Sequence, residues 1–305
     1  MSATASPLQP ASVDAAQTAG LPESGSILRT LRRDPLAILS FAVIIIFCLA
    51  AIFAPYLTSR AAEGLGEPNP VEKFKPPSAE HPFGADHLGR DLYARILFGG
   101  RTSLAMGLIV VAVAVAIGIP LGALAGYFGG WVDETVMRIT DVFLAFPPLL
   151  LAIAIAAALG ASFANAAIAI ALTWWPWYTR LVRAQVLSLR ERPFVEAARV
   201  MGVADLTIIV RHLLPNALAP VIVQATLDIG SAILTGAALS FLGLGVQPPT
   251  ADWGQMVSTG RIYFPDRWWY ATFPGLAIFI ATLAFNLLGD SLRDAADPRH
   301  DGGAR

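Results

Sequence analysis

Residues 103–127 have the sequence SLAMGLIVVAVAVAIGIPLGALAGY and contain no charged side chain. A helix of this length spans about 37 Å, which exceeds the roughly 30 Å hydrocarbon layer of a bilayer. A backbone that crosses lipid has to satisfy its own hydrogen bonds. The segment is therefore predicted to be a transmembrane α-helix.

Five further segments are comparably apolar. They are Leu36–Pro55, Val142–Leu159, Phe163–Leu181, Asn216–Leu242 and Ala271–Leu292. The predicted fold class is therefore an all-α integral membrane protein, a bundle of six transmembrane helices. Five helices is the alternative, because residues 142–181 can be divided differently around Gly160. The composition agrees, since 14% of the residues are charged, whereas soluble domains carry about 25%.

The sequence divides into four regions. Residues 1–28, rich in Ala, Ser, Pro and Gln, are predicted to be a disordered cytoplasmic tail. Residues 29–101 are predicted to hold the first transmembrane helix and a long periplasmic loop. Residues 102–293 are predicted to form a core of five helices with a cytoplasmic loop at about 190–215, and residues 294–305 a cytoplasmic tail. The first apolar run exceeds the apolar region of a signal peptide, about 7–15 residues, and is expected to be retained.

Basic residues are distributed unevenly between the two sides of the predicted bundle. With six helices, 13 of the 21 Lys and Arg residues fall on the side that holds both termini. Six arginines fall within residues 180–211, which cover the end of the fourth helix and the loop to the fifth. Cytoplasmic segments of membrane proteins are enriched in these residues. Both termini are therefore predicted to be cytoplasmic, in a multi-pass membrane protein.

Small residues recur at every fourth position of two predicted helices. The two stripes are Ala114, Gly118, Gly122 and Gly126 in the second helix, and Ala152, Ala156 and Gly160 in the third. Lipid provides no hydrophobic drive for helix association, so close backbone approach through small residues has to provide the packing. A tightly packed bundle is expected. Pro147 and Pro148 should either bend the third helix or mark its start.

Few polar groups interrupt the apolar segments. Gln224 and Asp228 lie four residues apart, hence on one face of the fifth helix, and Asn286 lies toward the end of the sixth. Ionisable groups inside a membrane are energetically unfavourable and usually face a lumen or a partner. Two interpretations stay open: these residues line a translocation path, or they hydrogen-bond neighbouring helices.

The loop between the fourth and fifth helices is predicted to form a helix, a turn and a second helix. Pro193 suits a first helical position, and Gly202 suits a helix end. Asp205 can cap the second helix, which is expected to end before Pro215, where the fifth transmembrane helix opens.

The first helix of this loop combines charged and small side chains. Glu196 has the helical spacing for ion pairs with Arg192 and Arg199. Ala197 and Ala198 leave one side of the helix with little bulk. Such a surface suits docking into the groove of a partner, and a solvated amphipathic hairpin is the alternative.

The same loop resembles a motif of a known family. The residues that resemble the EAA loop of ABC importer permeases are Glu196, Ala197, Ala198, Gly202, Leu214 and Pro215. The resemblance implies that this loop contains the coupling helix, which docks on the ATP-hydrolysing subunit. The similarity covers about residues 28–299.

A second block precedes the second predicted helix. Its members are Gly84, Asp86, Gly89, Arg90 and Asp91. The block is similar to the corresponding segment of the dipeptide, oligopeptide and nickel permeases, as are the stretches 126–147 and 239–254. The pattern is closest to that of the C-type subunits of these importers.

The resemblance implies a location in the bacterial cytoplasmic (inner) membrane, a set of partners and a function. The partners are a second related permease, two ATP-binding cassette subunits, a periplasmic or lipid-anchored solute-binding protein and membrane lipid, with no nucleic acid. The implied function is ATP-driven import of dipeptides or oligopeptides; nickel, glutathione and oligosaccharides are alternative cargoes. A phosphate-binding loop needs Gly-Lys followed by Ser or Thr, and the only lysines, Lys73 and Lys75, do not follow Gly. ATP and Mg²⁺ are therefore expected on partner subunits, with no cofactor and no catalytic residue in this chain.

Two other classes of function compete with this interpretation. An intramembrane enzyme needs a nucleophile with a base or a metal site, but none of the four histidines lies in an apolar segment. His81, Asp86 and His87 could form a metal site, although the motif above also accounts for them, and no metal site is predicted. A secondary transporter usually shows inverted repeats, and none is clear. The aromatic residues 268–270 suit either a membrane interface or a contact with the binding protein.

Overall fold

The computed structural model describes residues 30–296. Over this range the chain is helical, and its only extended pairing is an isolated antiparallel bridge between Ala85 and Asp91. The predicted tail at 1–28 and residues 297–305 lie outside the described residues. Residues 294–296, assigned above to the C-terminal tail, still belong to the last helix.

The helices are numbered here in chain order. The α-helices are α1 Pro35–Ile52, α2 Ala54–Leu57, α3 Ala61–Leu65, α4 Leu92–Phe128, α5 Gly130–Leu144, α6 Pro148–Leu159, α7 Phe163–Arg190, α8 Pro193–Val200, α9 Asp205–Thr207, α10 Leu214–Phe241, α11 Trp253–Gly260 and α12 Trp269–Ala296. Two 3₁₀ turns cover Pro70–Glu72 and Arg261–Tyr263, and a π-helical segment covers Ile208–Leu213.

Four helical segments are long and apolar enough to cross a membrane: Pro35–Ile52, Leu92–Phe128, Asp205–Phe241 and Trp269–Ala296. A fifth candidate span is α5 together with α6, which are bent by 86° relative to each other. Helix α7 has 28 residues, but its polar and aromatic side chains keep it outside this group. The described residues therefore contain four or five candidate spans by length and composition.

The prediction of one helix over Val142–Leu159 is wrong. The helix breaks between Leu144 and Pro148, because a residue before proline avoids the α conformation and neither proline can donate a backbone hydrogen bond. Pro148 opens α6, which is one of the two outcomes expected of the proline pair. Gly160 ends α6 with a φ of 90°. A Cβ added at Gly160 would have no atom within 4 Å. It is therefore not part of a packed stripe.

The small-residue stripe of the second predicted helix is confirmed, and its partner is α7. All four members of the stripe are buried. A Cβ added at Gly118 would lie 2.4 Å from the Cβ of Tyr178, and one added at Gly122 would lie 2.5 Å from the carbonyl oxygen of Thr179. Side chains larger than hydrogen are excluded here, and the two backbones pack directly on each other.

Helix α4 begins at Leu92 rather than near Ser103. The carboxylate of Asp91 accepts a hydrogen bond from the backbone N–H of Ala94 at 2.7 Å and so caps the first turn. Residues 92–101, predicted to belong to the long loop, are therefore the first turns of this helix.

Helix α1 is fixed at both ends. The Arg101 guanidinium donates to the carbonyl oxygens of Ala51 and Ile52 at 2.7 and 3.0 Å, which satisfies orphan acceptors at the end of the helix. At the other end, Asp34 caps the helix and accepts a hydrogen bond from the Ser291 hydroxyl of α12 at 2.5 Å. That hydrogen bond lowers the pKa of the Asp34 carboxyl.

The helix after the 190–204 loop is continuous, contrary to the predicted break before Pro215. Helix α9, the π-helical segment and α10 form one segment from Asp205 to Phe241. Pro215 does open the regular α-helical part. The wider π turn accommodates the missing proline donor, and the side chain of Asn216 donates to the carbonyl of His212 at 2.7 Å.

Candidate functional site

Helix α8 ends in a glycine turn. Gly202 has φ +76°, a conformation that side chains with a Cβ rarely adopt. Its N–H donates to the carbonyl of Arg199 at 3.0 Å, and the N–H of Val203 donates to that of Ala198 at 3.1 Å. This pair of bonds is a Schellman motif. The predicted helix end at Gly202 is therefore present.

The two faces of the loop differ in character. Val195 and Ala198 face inward and pack in the core with Ile208 and Ile209. The outward side exposes apolar side chains: Phe194 is 41%, Val200 84%, Met201 74% and Leu206 67% exposed. Exposed apolar patches of this kind mark contact sites.

This distribution corrects two details of the sequence interpretation. Ala198 is buried at 3% exposure, so it does not share an open docking face with the exposed Ala197. Among residues 30–296, no ion pair within 4.0 Å joins Glu196 to Arg192 or Arg199. Leu214 packs against the core, and Pro215 is exposed.

The loop is tied to the end of α4 through Tyr127. The Tyr127 hydroxyl donates to the carboxylate of Asp205 at 2.5 Å. The guanidinium of Arg199 lies over the same ring, 5.0 Å from its centroid. Asp205 is therefore the first residue of α9 and an acceptor for Tyr127, whereas the sequence suggested that it caps the helix.

A second polar cluster lies midway along α10. The carboxylate of Asp228 accepts hydrogen bonds from the Tyr178 hydroxyl of α7 at 2.6 Å and from the Gln224 amide at 2.9 Å. The predicted pair Gln224 and Asp228 is thus brought together, with Tyr178 as a further member. Asn286 is elsewhere: its side chain packs on α10 at Gly230 and makes no hydrogen bond to this cluster.

The cluster opens on a cavity of about 430 Å³ between three helices. The lining residues are Pro148 and Leu149 of α6, Trp174 and Trp177 of α7, and Asp228, Ser231 and Thr235 of α10. Gln224, Asp228, Ser231 and Thr235 are spaced by four, three and four residues, which places them on one face. Ser231 and Thr235 were not among the predicted site residues, although their 4-3-4 spacing with Gln224 and Asp228 is visible in the sequence.

The block before α4 is a compact network. The ring of His81, which is fully buried, lies between two carboxylates, with Nδ1 at 2.9 Å from Asp91 and Nε2 at 3.0 Å from Glu72. Hydrogen bonds from Lys75 and, less strongly, from His81 lower the pKa of Glu72. Asp86 accepts from the Arg90 side chain at 2.7 Å.

Two positions of the block accept only glycine, for steric reasons. Gly84 and Gly89 have φ values of +78° and +81°. A Cβ at Gly89 would lie 1.7 Å from the carbonyl oxygen of Asn69, and one at Gly84 would lie 2.7 Å from the Trp269 ring. The block therefore folds the first loop onto the starts of α4 and α12.

Asp91→Ala is expected to lower the thermal stability of the protein. The change removes the cap of α4 and leaves the buried Nδ1 of His81 without its partner. Together these losses destabilise by about 2–4 kcal/mol. Thermal unfolding of the purified protein measures the effect. Asp91→Asn is the control, because its amide oxygen can still cap the helix. An unchanged melting temperature in Asp91→Ala would contradict the assigned role.

The hypothesis of a metal site at His81, Asp86 and His87 does not match the geometry. His87 lies apart from His81, with Nδ1 at 2.8 Å from the Tyr270 hydroxyl, and its ring stacks with those of Tyr263 and Tyr270. Between residues 30 and 296, no group of three or more His, Cys, Asp or Glu side chains could hold a metal ion.

Stability is expected to fall as the pH drops below about 6.5, in part through His87. Burial lowers the pKa of His87 in the folded protein, so between this pKa and 6.5 the unfolded chain binds more protons than the folded chain. The melting temperature should decline over this interval, and less so in His87→Gln. Identical pH profiles for the two proteins would contradict the expectation.

Comparisons with known proteins agree with the motifs. Residues 118–301 match the family of binding-protein-dependent transport system inner membrane components. Residues 25–77 match the N-terminal transmembrane domain of oligopeptide transport permease C. A chain of the MetNI methionine ABC transporter, in an inward-facing conformation, shares the fold with a TM-score of 0.52 at 20% identity, over 68% of this chain and 98% of that chain.

Curated relatives cover nearly the whole chain. The dipeptide transport system permease protein DppC of Alkalihalophilus pseudofirmus is 49% identical over 89% of this chain and 88% of the relative. The probable D,D-dipeptide transport system permease protein DdpC of Escherichia coli K12 is 46% identical over 89% and 90%. The glutathione transport system permease protein GsiD of Escherichia coli O6:K15:H31 is 45% identical over 90% of each.

These matches join both motifs, the α8 loop and the block before α4, in one assignment. The chain belongs to the family of binding-protein-dependent transport system inner membrane components, and it is a C-type permease of the oligopeptide and dipeptide group.

Proposed function

We propose that this chain is the C-type permease subunit of an ATP-driven importer of short peptides. The observation that carries the proposal is the 49% identity to a dipeptide permease over 89% of the chain, which includes the α8 loop and the Asp228 cluster. Glutathione is a second candidate cargo, because a relative of that name is 45% identical. No feature of the chain favours nickel or an oligosaccharide.

The membrane arrangement proposed is six spans with both termini in the cytoplasm. Helix α7 is added to the five candidate spans and is the fourth in chain order. Its 28 residues give about 42 Å, and Arg180, Arg183 and Arg190 lie near its end. The same end carries α8 and its arginines, which the positive-inside rule places in the cytoplasm. The α8 loop then faces the cytoplasm, and the block before α4 faces the periplasm.

The outer side of the α8 loop is proposed to dock on a partner ATPase. The exposed side chains of Phe194, Val200, Met201 and Leu206 supply an apolar contact surface. ATP and Mg²⁺ bind the ATPases and not this chain. Glu196, Ala197 and Gly202 lie on or beside the contact, whereas Ala198 and Leu214 support it from the core. Movement of the α8 loop would be transmitted to α4 through the contacts of Asp205 and Arg199 with Tyr127.

Gln224 and Asp228 are proposed to line the translocation path, because their cluster opens on the cavity beside α7. Asn286 is proposed only as a neighbour of this path, since its side chain packs against Gly230. A second permease would close the open side of the cavity. A solute-binding protein would deliver the peptide at the periplasmic end of the bundle.

Purification from the native membrane in mild detergent tests the proposal. Mass spectrometry should identify a second permease and ATPase subunits with this chain. Proteoliposomes that contain the complex should take up dipeptides only with ATP and the binding protein present. Recovery of the chain alone, or uptake that needs no ATP, would contradict the proposal and favour a secondary transporter.

A further inference from the structure

The carboxylate of Asp228 is the centre of the polar cluster on α10. Its two oxygens accept hydrogen bonds from neutral donors, Tyr178 and Gln224. In the part of the chain that the structure describes, no Lys, Arg or His nitrogen lies within 4.0 Å of it. A carboxylate at membrane depth is strongly disfavoured unless a positive charge or further hydrogen bonds compensate it. A cation in the cavity would therefore complete the partners of Asp228 among the described residues.

The carboxylate is held in a fixed position. Tyr178 is 1% exposed and packs against α4 at Gly118, so its hydroxyl cannot move far. Two donors, one from α7 and one from α10 itself, orient the two oxygens. Each carboxylate oxygen can accept more than one hydrogen bond. Acceptor capacity remains for a ligand in the cavity.

The cavity walls suit a small organic cation. The indole rings of Trp174 and Trp177 line one side, and the faces of Trp rings attract ammonium groups. The Thr235 hydroxyl donates its proton to the carbonyl of Ser231 at 2.8 Å, which leaves its oxygen free to accept. The volume of about 430 Å³ falls in the range of small-molecule sites, about 300–1,000 Å³.

We propose that this cavity binds the free ammonium group of the peptide during its passage, with Asp228 as counter-ion and the Thr235 oxygen and the two indoles as further contacts. The inference rests on the proposed function of peptide import. The ammonium group is the one cation that every short peptide with a free amino terminus carries, so the site accepts peptides of differing side chains.

Chemical labelling tests the site directly. The complete complex of permeases and ATPases, without the binding protein, is treated with dicyclohexylcarbodiimide, which modifies carboxyl groups in apolar surroundings. Modification of Asp228 is followed by mass spectrometry. A mixture of free dipeptides is expected to slow the modification at least fivefold, and the same mixture with acetylated amino termini is expected to leave it unchanged.

Other labelling outcomes overturn the proposal. Equal protection by both mixtures would mean that the cavity does not recognise the ammonium group. No protection by either mixture, or no labelling of the unliganded complex, would mean that Asp228 does not face a peptide site. If Asp228 resisted labelling completely and the Asp228→Asn variant no longer bound the second permease, the cation that pairs with Asp228 would belong to the second permease.

Transport separates this inference from the proposed function. In proteoliposomes, Asp228→Asn is expected to lower dipeptide uptake at least tenfold, while ATP hydrolysis stimulated by the loaded binding protein stays within about twofold. Asp228→Glu should recover part of the uptake. Normal uptake by Asp228→Asn would overturn the ammonium site and leave the importer intact, whereas absence of uptake by the unmodified complex would count against the importer itself.

Discussion

Gly122→Leu is expected to prevent assembly of the folded permease. The position lies in the contact between α4 and α7, where an added Cβ would sit 2.5 Å from the carbonyl oxygen of Thr179 and 2.9 Å from the Cβ of Val182. Both neighbours belong to helical backbone or to a β-branched side chain, so neither can turn aside. Three further carbon atoms would force the helices apart.

The effect reaches beyond the contact itself. Helix α7 carries Tyr178, which orients Asp228, and its end carries Arg190, which donates to the carbonyl of Gly126 at 3.0 Å. Overpacking alone typically destabilises by about 1–3 kcal/mol, and a site whose neighbours cannot relax lies at the upper end of this range. The loss of close helix packing adds to this value.

Yield and thermal stability in detergent measure this expectation. Gly122→Leu should give little monodisperse protein, or a melting temperature far below that of the unmodified protein. Ala116→Leu is the matched control, since Ala116 is on the exposed side of the same helix. Normal yield and melting temperature for Gly122→Leu would mean that α4 and α7 do not pack as described.

Gly202→Leu is expected to separate ATP hydrolysis from transport without unfolding the protein. A Cβ at this position meets no atom within 4 Å, so the chain itself has room for the side chain. The φ of +76° imposes a local strain of about 1–2 kcal/mol on any residue with a Cβ. The leucine would project beside Val200 and Met201, on the surface proposed to dock on the ATPase.

Gly202→Ala is the control for strain, because it carries the same backbone penalty with almost no bulk. Uptake in proteoliposomes should fall at least tenfold in Gly202→Leu and by less than about threefold in Gly202→Ala. The melting temperatures of the two variants should agree. Equal uptake by both variants would show that this surface does not touch the ATPase.

The apolar segments were predictable from sequence because few backbone conformations can cross a bilayer with all their hydrogen bonds satisfied. Long runs without charge, such as residues 103–127, have to be helical, and the stripe at Gly118 and Gly122 identifies a packed face. The end at Gly202 was also predictable, since a glycine after a short amphipathic run is a local feature.

Several of the remaining failures involve contacts between residues distant in sequence. Asp205 accepts from Tyr127, 78 residues away, so its apparent capping role could not be tested locally. Tyr178 joins Asp228 across 50 residues. The start of α4 at Leu92 depends on Asp91, whose side chain also pairs with His81. Local propensity does not report such partners.

The π-helical turn at Ile208–Leu213 determines which way each side chain of α10 points around the helix axis. One residue more per turn rotates the downstream helix by about 100° relative to an unbroken α-helix. With that rotation included, Asp228 lines the same cavity as Trp174. Removal of Val210 would restore regular α-helical winding. The Asp228 carboxylate would then point away from the cavity, although no residue that lines the cavity had been changed.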